Sequence, residues 1–192
     1  MKPGKVKKKK KLQKTKAAVN YFIIFALLLL LIISLIKYLV GIILAIVFAI
    51  ITFFIVKIDV RLEYIALNCF FASSCFFGFL FGPVIGFIYA FLVGFISFGV
   101  HKMSLNAIVT ITISTAFGVF SGLMQPYLGW SWSLLFLALT ISFAIVSGFT
   151  YYILNGNLPR VLGIQTSQFF LNLFIYSPLF NLIIKLVTPL LI

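Results

Sequence analysis

Residues 70–100 read FFASSCFFGFLFGPVIGFIYAFLVGFISFGV, without a single charged side chain. The run is broken once, at Gly82-Pro83, a dipeptide with turn chemistry. A helix needs about 20 mostly apolar residues to cross a bilayer, so the run predicts two crossings joined by a hairpin. Pro83 suits the start of the second one, where its missing N–H would be unpaired anyway.

The same pattern extends in both directions. Apolar runs separated by short polar breaks predict crossings at 20–36, 39–57, 63–81, 83–100, 105–124, 131–153 and 167–190. The breaks are Lys37-Tyr38, Lys57 to Arg61, Gly82-Pro83, His101 to Ser104, Gln125-Pro126 with Gly129, and Asn155 to Gly163 with Pro159. The expected fold is all-α, a polytopic transmembrane bundle of about six to seven helices. A lysine-rich tail at 1–19 precedes a membrane domain at 20–192.

Composition agrees with this. Hydrophobic residues make up 64% of the 192-residue chain and charged ones 9%, and the mean hydropathy is +1.26. Soluble domains are about 45–50% apolar. There is no room for a separate soluble catalytic domain. The net charge of +13 is concentrated, since nine of the fifteen basic residues lie between Lys2 and Lys16. Such a run repels itself and stays unfolded in water; beside a membrane helix it is drawn to anionic headgroups. No aromatic or glycine pattern accompanies the lysines, so nucleic acid is not the expected partner. The apolar stretch at 21–36 is longer than a signal-peptide core and no small-residue cleavage site follows it, so it is expected to be retained.

Lysine and arginine in short loops stay on the cytoplasmic side. Counting alternating crossings from a cytoplasmic tail places Lys57, Arg61, Lys102 and Arg160 inside, and Lys37 and Lys185 outside. The expected location is the cell membrane, multi-pass, with the N-terminus cytoplasmic. Tyr127, Trp130 and Trp132 fall at the outer boundary, where amphipathic rings act as anchors.

The inventory for catalysis is sparse: Asp59, Glu63 and His101. The carboxylates, close to Lys57 and Arg61, read as an ion cluster at the membrane boundary, and His101 as a solvated loop residue. Cys69 and Cys75, six residues apart, read as free buried thiols. A metal site draws three or four ligands, so no metal or cofactor is expected, and no enzymatic activity.

Spacing is more informative. Gly78, Gly82, Gly86, Ala90 and Gly94 recur every fourth residue, and Ala45 with Ala49 repeats the interval. Small residues in such register let helix backbones approach closely in lipid, where apolar burial gives no net drive. Two further stripes are polar: Asn106, Thr110 and Ser114 leading into Gly118 and Gly122, and Gln165, Gln168, Asn172 and Tyr176. With Asn68, Ser73 and Ser74 on a third helix, these faces should turn inward, toward each other or toward a solute. Asn68, Asn106, Thr110, Gln165, Gln168, Asn172 and Tyr176 are the candidate solute contacts.

The stretch Phe81-Gly82-Pro83-Val84-Ile85-Gly86 with Gly94, followed by Leu105 to Gly122, resembles substrate-binding S components of energy-coupling factor transporters. MreD-like envelope proteins are similar over the same region, including Phe98-Gly99 to Asn106-Ala107. The resemblance covers roughly residues 40–190 and implies a six-helix core. For an S component it implies a vitamin-like solute held near the extracellular side, a transmembrane coupling subunit and two separate ATPases. It implies that Ala45 and Ala49 dock on the coupling subunit and that Asn172 contacts the solute. Aligned this way, the first core helix runs opposite to the direction that charge counting gives it. The expected function is solute capture for uptake, energised by partner subunits because no nucleotide-binding loop is present; the alternative is an MreD-like membrane scaffold.

The charge-based topology makes one prediction, on a background with Cys69 and Cys75 replaced by alanine. A membrane-impermeant maleimide added to intact cells should label Lys37→Cys and leave Arg160→Cys unlabelled until the membrane is permeabilised.

Overall fold

The computed structural model describes residues 39–59, 61–62, 64–67, 69–101 and 103–191. The lysine-rich tail, the crossing at 20–36, Glu63, Asn68 and Lys102 lie outside the described residues. Among the described residues the regular structure is entirely helical. The elements are α1 (Leu39–Asp59), α2 (Phe70–Phe81), α3 (Pro83–His101), α4 (Leu105–Leu128), α5 (Trp132–Asn155), α6 (Leu158–Leu171) and α7 (Ser177–Leu191). α6 runs into α7 through a π turn at Asn172–Tyr176, giving one apolar span over Leu158–Pro189. Five helices, all but α2, are long and apolar enough to cross a membrane. The chain is a multi-pass membrane protein.

Residues 41–190 form one compact unit, and α2 is its axis. Every α2 residue from Phe70 to Gly78 is buried, as a helix apolar on all sides requires. α3 and α4 pack against α2 and against each other, and α5 and α6 complete the bundle. Phe76 stacks on Phe180 at 4.7 Å between ring centroids, Phe71 lies 4.1 Å from Phe143, and Phe77 stacks on Tyr89 at 4.1 Å. Such pairs contribute about 0.5–1.5 kcal/mol each beyond the area they cover.

Glycine sets how close the three central helices come. A Cβ added at Gly78 would lie 1.9 Å from the Gly118 carbonyl oxygen, and one at Gly86 would lie 2.7 Å from the Gly78 Cα. At Gly122 it would meet the Pro83 nitrogen at 2.5 Å. The fourfold ladder in the sequence is therefore not one helix face. The chain reverses at Gly82, whose φ of 93° is easy only for glycine, and Gly78 on α2 is folded against Gly86 on α3. Ala90 and Gly94 continue along α3, with Gly94 facing Phe70 and Ile111. Ala45 and Ala49 of α1 pack against the bundle's own aromatic core.

Three helix ends differ from the expected ones. α2 has only 12 residues, because 61–62 and 64–67 are not helical. α4 continues past Pro126 to Leu128 and stops at Gly129, whose φ is 58°; a proline this close to the end sacrifices little helix. α6 begins at Leu158, nine residues before the expected start, because Asn157 caps it by accepting from the Arg160 N–H at 3.1 Å and Pro159 sits in the first turn. Pro159 thus opens a helix where a loop was expected.

Two aromatic or ring assignments also change. Trp132 is no boundary anchor: it is 2% exposed, its indole N–H donates to the Ser177 carbonyl at 3.1 Å, and it stacks on Phe136 at 4.7 Å. Tyr127 and Trp130 are exposed. His101 ends α3, with Nε2 3.2 Å from the Phe53 carbonyl oxygen and its ring against Phe53, so it joins α3 to α1. Cys69 and Cys75 are free and buried.

Gly78→Ala should destabilise the detergent-solubilised protein by about 3 kcal/mol, the upper range for overpacking, read as a fall in melting temperature. Gly99→Ala, where the new Cβ would meet Met103 Cε at an ordinary 3.6 Å, should leave it unchanged or slightly raised.

Candidate functional site

α1, α3 and α5 finish at the end of the bundle where α4 and α6 begin. A cavity of about 330 Å³ opens there, within the size range of small-molecule sites. The same end carries Lys57, Arg61 and Arg160, while Lys185 lies near the other end of the α6–α7 helix.

Each wall is positioned by a local signal. Ser104 caps α4 by accepting from the Ala107 N–H at 3.2 Å, which sets Asn106 and Thr110 on the cavity wall. Gly156, with φ 63°, ends α5 just beyond Tyr151 and Asn155. The Asn157 cap and Pro159 start α6 so that its inner face carries Val161, Ile164 and Gln168 into the cavity.

The fourth wall is the non-helical stretch after α1, through Leu62, Ile65 and Ala66. It is tied by side chains rather than by helix bonds. Asp59 Oδ1 accepts from the Leu67 N–H at 2.8 Å, Ser167 Oγ accepts from the Ala66 N–H at 2.9 Å, and the Tyr176 hydroxyl donates to the Leu67 carbonyl. Gly163 brings α6 up to it, since a Cβ there would lie 2.7 Å from the Tyr64 carbonyl oxygen. Non-helical backbone at membrane depth is tolerated where it is enclosed by protein or lines a cavity, and this stretch does both. Asp59, expected in a boundary ion cluster, serves here as an acceptor for backbone.

The polar groups of the cavity fall into two sets. On the α4–α5 side they are paired with one another. The Asn106 and Asn155 amides exchange bonds at 3.1 and 3.3 Å. Tyr151 pairs with the Thr110 hydroxyl, which donates onward to the Asn106 carbonyl at 2.8 Å. On the α6 side they are not all paired. Gln168, 4% exposed, lines the cavity, and its Nε2 has no partner. One turn further, Asn172 is fully buried with neither Nδ2 nor Oδ1 partnered. An unsatisfied buried group of this kind costs about 1–3 kcal/mol.

Of the candidate solute contacts, the structure brings Asn106, Thr110 and Gln168 to the cavity. Gln165, Asn172 and Tyr176 share the buried side of the α6–α7 helix but are not among the cavity's lining residues. Gln165 Oε1 lies 3.0 Å from Ser147 Oγ on α5, and Tyr176 holds the non-helical wall. Sequence reasoning missed Ser147, Tyr151 and Asn155, although their spacing of four is the same signal that marked the α4 stripe. Among the described residues no group of three or more His, Cys, Asp or Glu side chains is placed to hold a metal ion.

Comparison of the chain with protein families, with characterised proteins and with solved structures gave no match.

Removing one tie of the non-helical wall should loosen it alone. In Ser167→Ala, amide hydrogen exchange at Ala66 should speed up roughly fivefold, the equivalent of about 1 kcal/mol for one hydrogen bond. Exchange in the α2 amides should not change.

Proposed function

We propose that this protein is a membrane-embedded binding subunit for a small, uncharged or weakly charged solute, energised by separate partner proteins. The observation that supports this reading best is the cavity at the end of the bundle, with a buried, incompletely paired amide, Gln168, in its wall. A packing defect in lipid would be lined by apolar groups and would stay dry. This cavity is instead lined by Asn106, Thr110, Tyr151, Asn155 and Gln168, which suits a solute able to form hydrogen bonds.

The resemblance to S components agrees with a binding role and supplies the expectation of a coupling subunit and ATPases. The scaffold alternative rests on outward-facing small residues. Gly78, Gly86, Gly118 and Gly122 are taken up by contacts within the bundle, so they lend that alternative no support. Charge counting and the resemblance assign the cavity to opposite faces of the membrane. The cavity end carries the loop cations, which favours the cytoplasm, whereas an S component holds its solute near the extracellular side. Labelling of Arg160→Cys decides between an uptake site and a cytoplasm-facing one.

The binding role has a direct test. Protein purified in mild detergent should release a small molecule on denaturation, detected by mass spectrometry of the extract. Ala107→Phe, which fills the cavity from a buried position on its wall, should reduce that yield at least tenfold while the helical circular dichroism is retained. Equal yields from the two proteins would overturn the reading.

A further inference from the structure

Resting on the binding role, the geometry points to a solute with a neutral hydrogen-bonding edge of adjacent donor and acceptor, such as a cyclic amide, imide or ureide, read by Gln168 and Asn172. The argument begins with which groups are already committed. Asn106, Asn155, Thr110 and Tyr151 satisfy one another, and Ser104 is held by the Ala107 N–H. Their bonds join α4 to α5, and a solute that used them would first have to break them. Asp59 accepts from the Leu67 N–H. Gln168 is the cavity-lining side chain with a buried donor that has no partner.

Asn172 extends the same face by one turn, about 6 Å along the helix axis at 1.5 Å per residue. It is fully buried, and both of its polar atoms are unpartnered. A carboxamide offers two donors and an acceptor, so the chemical complement of its edge is another donor beside another acceptor. An anion or cation would meet no buried counter-charge there, because Arg160 is exposed, Asp59 is half-buried, and the side chains from Gln165 through Tyr176 are all neutral. Burying an unpaired charge is far costlier than burying an amide. A purely apolar solute would leave both amides unsatisfied.

The test uses the full-length protein in detergent with three probes: uracil, which has neutral donor–acceptor edges; 1,3-dimethyluracil, which keeps the ring and carbonyls but has no donors; and benzoate, an anion of similar size. Thermal shift at millimolar concentration should show stabilisation by uracil, at least tenfold weaker apparent affinity for dimethyluracil, and no effect of benzoate. Asn172→Leu should abolish the uracil shift. With no probe added it should melt at or above the wild-type temperature, because it removes two unpartnered polar atoms; a structural asparagine would give a lower one. Absence of a uracil shift in the wild type, equal binding of uracil and dimethyluracil, or a uracil shift retained in Asn172→Leu would each overturn the inference. A melting temperature of Asn172→Leu well below wild type would also overturn it. A benzoate shift lost in Ala107→Phe but kept in Asn172→Leu would overturn it while leaving the binding role intact.

Discussion

Backbone that enters hydrocarbon without forming a helix has to find its hydrogen bonds elsewhere, and much of this architecture follows from meeting that demand at one place. α2 has 12 residues, about 18 Å of helix against a hydrocarbon core of about 30 Å. The rest of that depth falls to the non-helical stretch after α1. Its N–H and carbonyl groups are met by side chains from α1, α6 and the π turn: Asp59, Ser167 and Tyr176. A wall built this way cannot pack as densely as a helix, and the cavity lies beside it. The short α2 and the cavity are two results of one cause.

The opposite end of α2 has the reverse character. There the backbones of α2, α3 and α4 approach until a single methyl group would collide with a carbonyl oxygen. In lipid the association of helices depends on van der Waals packing and on interhelical hydrogen bonds, and both are concentrated at this contact: the glycines allow the approach, and Ser121 adds a bond from its hydroxyl to the Cys75 carbonyl at 2.8 Å. The bundle is thus tightly closed where glycine is dense and open where amides and hydroxyls are dense. This division lets one end carry stability while the other is free to interact.

Helix type and number were legible in the sequence because long uncharged runs have one interpretation in a bilayer. What was not legible depended on which of two local effects prevails. Pro159 reads as a breaker in isolation, but behind the Asn157 cap it initiates a helix. Gly78 to Gly94 reads as one face until Gly82 takes a positive φ and folds the series onto itself. Trp132, one residue inside α5, reads as an interfacial ring, yet the Ser177 carbonyl gives its N–H a buried partner. At the site, spacing found Asn106, Thr110 and Gln168. It could not distinguish a polar group that is satisfied from one that is not, because that depends on Tyr151 and Asn155, far along the chain.

The distinction between satisfied and unsatisfied groups also explains why α6 and α7 form one interrupted helix. Pro178 has no N–H to donate to the carbonyl four residues earlier, and its ring crowds that carbonyl. The preceding turn widens into the π form, in which the Ser177 N–H reaches the Asn172 carbonyl, and the indole of Trp132 binds the Ser177 carbonyl from α5. Such π turns are frequent at functional sites. Here the widened turn begins at Asn172 itself, so the residue with the least satisfied side chain sits where the helix is least regular. A fully α-helical α6–α7 span would shift every residue beyond the turn by about 100° around the axis, at 3.6 residues per turn. Tyr176 would then move off the face that carries Gln168 and Asn172, and the non-helical wall would lose its bond at Leu67. The interruption therefore holds the cavity wall and the unpaired amides on a single face.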